Sequence, residues 1–394
     1  MPRTRAEPSA TPPLLKNLNE RTVLDAIRAG APISRAEISR RMGISKPTVS
    51  LALQSLLDAG LVREAADDPD GPSYGAVFFE PVPEAALVLG LDLGARFLRG
   101  AICDLDGEVR ARQDVELIGA DAAAVLDAFD SLRDSLVAAT GLSQELIDSA
   151  VVGVPAVVEL ATGVVGLTSV EGLDGMHFGD AAAERLGVPV IVDNDTNLAA
   201  VGEQWLGVAR GLDDFVFLSV GTGLGAGLVL RGEVHRGHNG AAGEVDLVSA
   251  GGGDDVDPCA GALSGVAREL AVSFEGPTDL SPPYDPRAVF GAARTGDALA
   301  RAIVDEEARR IALHVVPIAA VADVALVVLG GGLGTNGDLL LEPVRKLLAD
   351  WLPYPPRVEV SSLGEAAVLM GALAVGRRAA LDNVFQNRAS AAPV

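Results

Sequence analysis

The sequence predicts an α/β protein in two parts, a small helical head with a strand pair behind it and a larger body of two related lobes. Three observations carry this. Apolar residues at helical spacing, punctuated by capping signals, fill residues 14–62. A phrase of strand, small-residue turn and strand occurs near residues 87–105 and again near 215–230. The charge also changes sign between the parts: residues 1–63 hold 10 Lys/Arg against 5 Asp/Glu, and residues 64–394 hold 21 against 49. A polyanionic partner is therefore expected at the head, because the body would repel it.

The head is expected over residues 14–80, after a polar, Pro-rich and disordered stretch at 1–13. Its first helix runs from Leu14 to Ala29 and stops at Gly30 and Pro32. Ser34 and Glu37 form a capping box opening a second helix, and Gly43-Ile44 makes a tight turn. Ser45 caps a third helix that tolerates Pro47 in its first turn and turns Val49, Leu53, Leu56 and Leu57 inward. Two helices joined by such a turn form a helix-turn-helix unit. Behind it, Leu61-Val62-Arg63, an acidic turn (Asp67, Asp68, Pro69, Asp70, Gly71) and the strand Ala76–Phe79 make a candidate wing. The module reads as DNA-binding, with pure dimer contact as the alternative. Base reading falls to Ser45, Lys46, Thr48, Ser50 and Gln54, and phosphate contact to Arg35, Arg40 and Arg41. The acidic wing tip is expected to avoid phosphates.

The body is expected over residues 85–385, with a loose tail at 386–394. Strands Leu87–Leu93 and Phe97–Leu105 flank Gly94-Ala95-Arg96. Strands Phe215–Val220 and Ala226–Leu230 flank the glycine-rich turn Gly221–Gly225. Helices are expected near Ala122–Thr140, Leu198–Leu206, Ala262–Phe274 and Leu339–Trp351. Gly296–Ala322 reads as more than one helix. Two related lobes imply a ligand cleft between them. The apolar run Ile311–Leu329 is broken by His314, Pro317 and Asp323, so it reads as a buried helix and strand, not a membrane span. Cys103 and Cys259 alone exclude a disulfide framework. With an N-terminus lacking a signal-peptide core, they point to the cytoplasm.

These pieces resemble the ROK family of repressors, open reading frames and sugar kinases, in its branch of regulators with an N-terminal winged helix. The resemblance runs from about Leu14 to Gly376. It rests on Val220-Gly-Thr-Gly-Leu-Gly-Ala-Gly-Leu228 followed by Gly232, Arg236-Gly237 and Gly243-Glu244. Further matching pieces are Gly153-Val-Pro-Ala156, Val192-Asp-Asn-Asp-Thr-Asn197 with Glu203, Leu329-Gly-Gly-Gly-Leu333 and Leu363-Gly-Glu-Ala366. It implies an actin-like, two-lobed body closing on a sugar. Asn194 and Asp195 match a family pair in which the Asp accepts the proton of the attacked hydroxyl, and Glu244 matches a sugar-contacting Glu. On residues alone, Asn194, Asp195 and Thr196 cap the helix at Leu198, which is compatible with ligand contact, and Glu244 could be a surface carboxylate. Asp92, Gly94, Gly221, Thr222, Gly223 and Gly225 stand in the two phosphate hairpins.

The departures from the family pattern lie in the catalytic parts. Leu247 replaces a His that touches sugar and ligates zinc, and Cys259 is the one cysteine between Gly251 and Ser264, so no structural metal is expected. Asp254, Asp255 and Asp257 cluster there, as a solvated acidic loop or a site for a hard cation. Ser264 falls near a second family sugar-contacting Glu. Arg96 and Phe97 stand where family kinases place Thr and Lys, and Arg96 could pair with phosphate, fill the nucleotide space or bridge to Asp92. Phosphoryl transfer depends on positioning and electrostatics, so these losses predict a non-catalytic body with a vestigial Asp195 and no cofactor. The expected function is a sugar-responsive transcription regulator, usually a repressor, acting as a homodimer or higher homo-oligomer on palindromic double-stranded operator DNA. The alternatives are a sugar kinase carrying a DNA-binding head and a DNA-binding scaffold that senses nothing.

Overall fold

The computed structural model describes residues 12–65, 76–117, 121–168, 170–247 and 256–387. The wing tip Asp67–Gly71, Asp254, Asp255, most of the N-terminal stretch and the tail from Arg388 lie outside the described residues.

The head comprises α1 (Pro12–Gly30), β1 (Ile33–Ser34), α2 (Arg35–Met42), α3 (Lys46–Asp58), β2 (Val62–Glu64) and β3 (Phe78–Pro81). The first helix starts at Pro12, two residues before its expected start, since prolines are tolerated in a first turn. The Ser34 hydroxyl accepts from the Glu37 amide at 3.3 Å. The reciprocal half of the capping box is absent: the Glu37 carboxylate instead pairs with Arg40 at 2.6 Å and Arg41 at 2.8 Å. Gly43 ends α2 at φ 67°, a left-handed conformation that an L side chain resists. The wing sheet has a third strand that the sequence reading lacked, β1, which pairs with β3 through Ile33↔Phe79.

The first lobe comprises β4 (Leu87–Leu93), β5 (Phe97–Asp104), β6 (Val109–Glu116), α4 (Ala122–Thr140), β7 (Ile147–Val154), β8 (Val157–Val158), β9 (Val165–Gly166), α5 (Phe178–Leu186), β10 (Val190–Asn194) and α6 (Asp195–Trp205). The second comprises β11 (Phe215–Val220), β12 (Leu224–Leu230), β13 (Glu233–Val234), α7 (Ala260–Ser273), α8 (Pro286–Thr295), α9 (Ala298–Ala322), β14 (Leu326–Gly330), α10 (Gly331–Gly334), α11 (Gly337–Trp351) and β15 (Arg357–Val360). A final helix, α12 (Ala367–Asn387), returns to the first lobe.

The sheet orders are β6-β5-β4-β7-β10 and β13-β12-β11-β14-β15. Each is a meander of three antiparallel strands extended by two parallel ones, so the twice-occurring phrase reports a duplicated topology. All seven residues of β4 and all five of β14 are buried, as befits strands covered on both faces.

Residues 298–322 form one helix, not two. Pro317 lies inside it, and an interior proline costs about 3 kcal/mol. Burial of Ile303, Ile311, Ala312, Val315 and Ile318 in the second lobe's core offsets that cost. The last helix also runs beyond the expected body boundary, to Asn387.

Two helices join the parts. A Cβ at Gly202 would lie 2.2 Å from the Ala367 carbonyl oxygen, so the absence of a side chain there lets α6 and α12 cross closely. The end of α12 packs with α1 in one hydrophobic cluster: Val23, Leu24 and Ile27 of the head lie with Val88, Cys103, Leu373, Ala380 and Val384 of the body.

Candidate ligand cleft and nucleic-acid interface

β10 and α6 position the predicted ligand residues Asn194 and Asp195. The strand ends as Asn194 takes an extended conformation, and its side chain caps α6 by accepting from the Asn197 amide at 3.1 Å. The same oxygen accepts from the Thr196 hydroxyl at 2.5 Å, and the Asn194 amide group donates to the Ala156 carbonyl at 3.1 Å. Asn194 therefore has its amide occupied in holding the helix mouth. Asp195 is freer: one carboxylate oxygen accepts from the Thr196 amide at 2.7 Å. Burial pushes its carboxyl up to about 6. The Glu244 carboxyl is also raised, first by burial and then by Asp246 and Asp195. Three predicted residues, Asp92, Asp195 and Glu244, thus lie close enough for Asp195 to raise both of the others. A poorly solvated carboxyl cluster of this kind suits a ligand rich in hydroxyl donors.

The sequence reading missed an ion pair that bridges the lobes. Arg236, after β13, donates from Nη2 to Asp193 of β10 at 2.5 Å and from Nε at 3.1 Å. Asp193 is buried and also accepts from Asn197 at 3.3 Å. Both residues stand inside the quoted motifs, but only folding brings positions 193 and 236 together.

The first hairpin departs from expectation. Arg96 does not reach Asp92: it pairs with Glu116 at 2.7 Å and lies over the Phe97 ring, with 66% of its side chain exposed. The bridge comes from Arg99, opposite Asp92 in the β4–β5 register and 3.3 Å from it. Arg99 also reaches Glu365 at 3.2 Å and Asp114 at 3.7 Å. Its guanidinium lies 3.3 Å from where a Gly94 Cβ would stand, so it occupies the space beside that glycine. Burial pushes the Asp92 carboxyl up to about 7, against the pull of Arg99. Cross-strand symmetry about Ala95-Arg96 was the available signal, since it sets 92 opposite 99.

In the second hairpin the Gly221 amide is spent on the Gly223 carbonyl at 3.0 Å, while Thr222 and Gly223 are exposed. Gly225 faces Thr196, whose hydroxyl would lie 3.1 Å from a Cβ, so its smallness serves lobe packing.

The residues do not fit a zinc site. Leu247 is exposed and offers no donor. Burial, reinforced by Asp257, raises the Cys259 thiol, which disfavours the thiolate that a metal needs. No group of three or more His, Cys, Asp or Glu among the described residues is placed to hold a metal ion. Ser264 donates to the Tyr284 carbonyl at 3.1 Å, a contact within the lobe.

In the head, the structure shows how most of the predicted DNA set is restrained. Arg35 donates to Ser50 at 3.1 Å, the Ser45 and Thr48 hydroxyls meet at 2.8 Å, and Gln54 donates to Asp58 at 2.8 Å. Arg40 and Arg41 share Glu37, yet stay exposed. A groove beside α3 is lined by Arg35, Lys46, Ser50, Gln54, Glu64 and Val77.

The sequence profile of the ROK family matches residues 88–379. The chain belongs to the ROK family. The profile of the MarR family matches residues 17–71, so this ROK protein carries a MarR-type winged helix ahead of its body. It is 27% identical to a xylose repressor of Caldicellulosiruptor bescii over 92% of this chain and 96% of that protein. It is 30% identical to a glucokinase of Halalkalibacterium halodurans over 66% of this chain and 84% of the glucokinase. Among solved structures, a ROK family transcriptional regulator described as a homolog of E. coli MLC superposes with TM-score 0.77 at 21% identity, covering 95% of this chain and 99% of that one. A ROK glucokinase from Streptomyces griseus, in complex with glucose and AMPPNP, superposes with TM-score 0.63 at 25% identity, over 74% of this chain and 100% of the kinase. The regulator likeness spans head and body, and the kinase likeness stops at the body. No helix among the described residues is long and apolar enough to cross a membrane.

Proposed function

We propose that this ROK protein is a sugar-responsive, DNA-binding transcription regulator, acting as a repressor, whose body binds a sugar or sugar derivative without phosphorylating it. The observation that carries this reading is the single hydrophobic cluster shared by head and body. A reading head fused this way to the lobe that holds Asp195 is built to move with it. Relatives named xylose repressors, aligned over nearly their whole length, support the same reading.

The proposed response is lobe closure. A sugar whose hydroxyls bridge Asp195 and Glu244 binds the closed body better than the open one and shifts their populations. The shift reaches the head through α6 and α12, which meet where Trp205 at the end of α6 lies against Arg377 at the middle of α12. Half-sites about 34–36 Å apart call for two recognition helices, hence a homodimer. The test is operator selection from random duplexes, then titration of the selected DNA with and without hexoses and pentoses. Selection of a sequence with sugar-dependent affinity is expected. A selected sequence whose affinity no sugar alters would leave a constitutive scaffold.

A kinase remains the second reading, favoured by one observation: the poorly solvated Asp195 is suited to accept a proton near neutral pH. Arg99 beside Gly94 speaks against it. Sustained ADP release with a sugar, abolished by Asp195→Asn, would establish that second reading and overturn the non-catalytic one.

A further inference from the structure

We infer that Leu51 reads the C5-methyl group of a thymine in the major groove, as a specificity-determining residue at the centre of the α3 reading face. The inference rests on the DNA-binding function proposed above.

Leu51 is 75% exposed and belongs to no hydrophobic cluster among the described residues. One exposed leucine means little by itself. Its place on the helix is the stronger fact. α3 buries Val49, Ala52, Leu53 and Leu56. At about 100° per residue, the direction opposite that buried centre is shared by Pro47, Leu51, Gln54 and Asp58. Lys46 points about 110° away from that direction, toward the wing side. Asp58, at the helix end, is tied to Gln54. Over the N-terminal two turns, the outward surface is therefore the Pro47 ring and the Leu51 isobutyl group.

A recognition helix enters the major groove with its N-terminal half against base edges. Three of the four base edges offer polar groups alone there, and thymine adds a methyl group. Leucine pressed on polar edges would leave their donors and acceptors without water or partner, which is costly. Against a thymine methyl the same contact is favourable. Charge supports DNA as the occupant: Arg35, Arg40, Arg41 and Lys46 all lie on α2 and α3, in the basic part of the chain. Leu51 then discriminates by apolar contact, while the flanking polar side chains keep intramolecular partners until DNA displaces them.

The experiment uses the full chain and the operator it selects, with each thymine replaced in turn by deoxyuridine, which lacks only the methyl. Loss of one buried methyl is worth about fourfold in affinity. The wild type is expected to lose about fourfold at one thymine per half-site, and Leu51→Ala is expected to be insensitive there. The dependence of affinity on salt should stay as in wild type for Leu51→Ala and become shallower for Lys46→Ala, since only the lysine can neutralise a phosphate. Uracil that matters nowhere, or that matters as much to Leu51→Ala as to wild type, overturns the assignment of Leu51 and leaves DNA binding intact. Failure of the wild type to select any sequence overturns the function itself. Leu51 is exposed, so loss of folding does not confound the variant.

Discussion

Arg28 and Arg377 donate to the same atom, the carbonyl oxygen of Leu105, at 2.7 and 2.6 Å. One arginine belongs to the head and the other to α12. The shared oxygen sits at the β5–β6 turn, where Arg28 also holds Asp106 at 3.1 Å. The Trp205 ring packs on this turn so closely that a Cβ at Gly107 would lie 2.7 Å from it, and Arg377 lies 5.8 Å from the ring centre. The two ends of α6 therefore meet different partners: its start carries Asp195 and its end presses on the turn gripped by the head.

The first prediction follows from that junction. Trp205→Ala should leave sugar binding and sugar-free operator binding near wild type while shrinking the change in operator affinity that sugar produces. Fluorescence anisotropy of labelled operator, with and without sugar, gives all three quantities. An unchanged sugar effect would mean that the signal travels another way.

Removing Arg99 should destabilise the protein in a pH-dependent manner. Breaking a buried pair by deleting one partner costs about 3–5 kcal/mol at most. Asp92, already raised to about 7, can escape part of that cost by protonation. Arg99→Ala should therefore lower the thermal midpoint more at about pH 8 than at about pH 5. Adding Asp92→Asn should restore most of the loss, because the stranded charge is gone. A double variant no more stable than Arg99→Ala would refute this account of the hairpin.

Asp195→Asn should make the ligand-free protein more stable above neutral pH. A carboxyl raised from 3.8 to about 6 on folding gives stability that is complete below the lower value and lost as pH rises through the higher one. The gap corresponds to at most about 3 kcal/mol. Denaturant melts of both proteins should agree below about pH 4, separate between about pH 4 and about pH 6, and keep a constant gap above that. A gap that does not change between about pH 4 and about pH 6 would mean that Asp195 is well solvated.

Glu307 offers an independent stability test away from the cleft. It is fully buried in α9, and neither carboxyl oxygen has a hydrogen-bond partner among the described residues. Burial raises its pKa well above the ordinary range, against the pull of Arg310 and with a push from Asp257 and Glu306. Its contribution to stability is complete below the ordinary carboxyl range and lost as pH climbs through the raised value. Glu307→Met should raise the thermal midpoint, most clearly in alkaline buffer. A lower midpoint at every pH would assign Glu307 a partner or packing role that methionine cannot fill.

Local signals were legible in the chain because they act over a few residues. Ser34, Ser45 and Asn194 cap the helices whose starts their positions announced, since a hydroxyl or amide next to free backbone N–H groups has little choice of partner. The duplicated body was equally readable, because each hairpin carries its own turn residues and apolar strands. The reversal of charge at the head needed nothing beyond counting.

Pairings between distant positions were not legible. Arg99 rather than Arg96 meets Asp92, and Arg236 meets Asp193. Each outcome depends on strand register or lobe approach, and long side chains choose among partners that folding delivers. The single helix through Pro317 has the same origin: an intrinsic break is overridden once a whole lobe packs around it. Short-range capping and periodicity can be inferred from residue order, whereas the charge network across the cleft exists only after the sheets have twisted and the lobes have met.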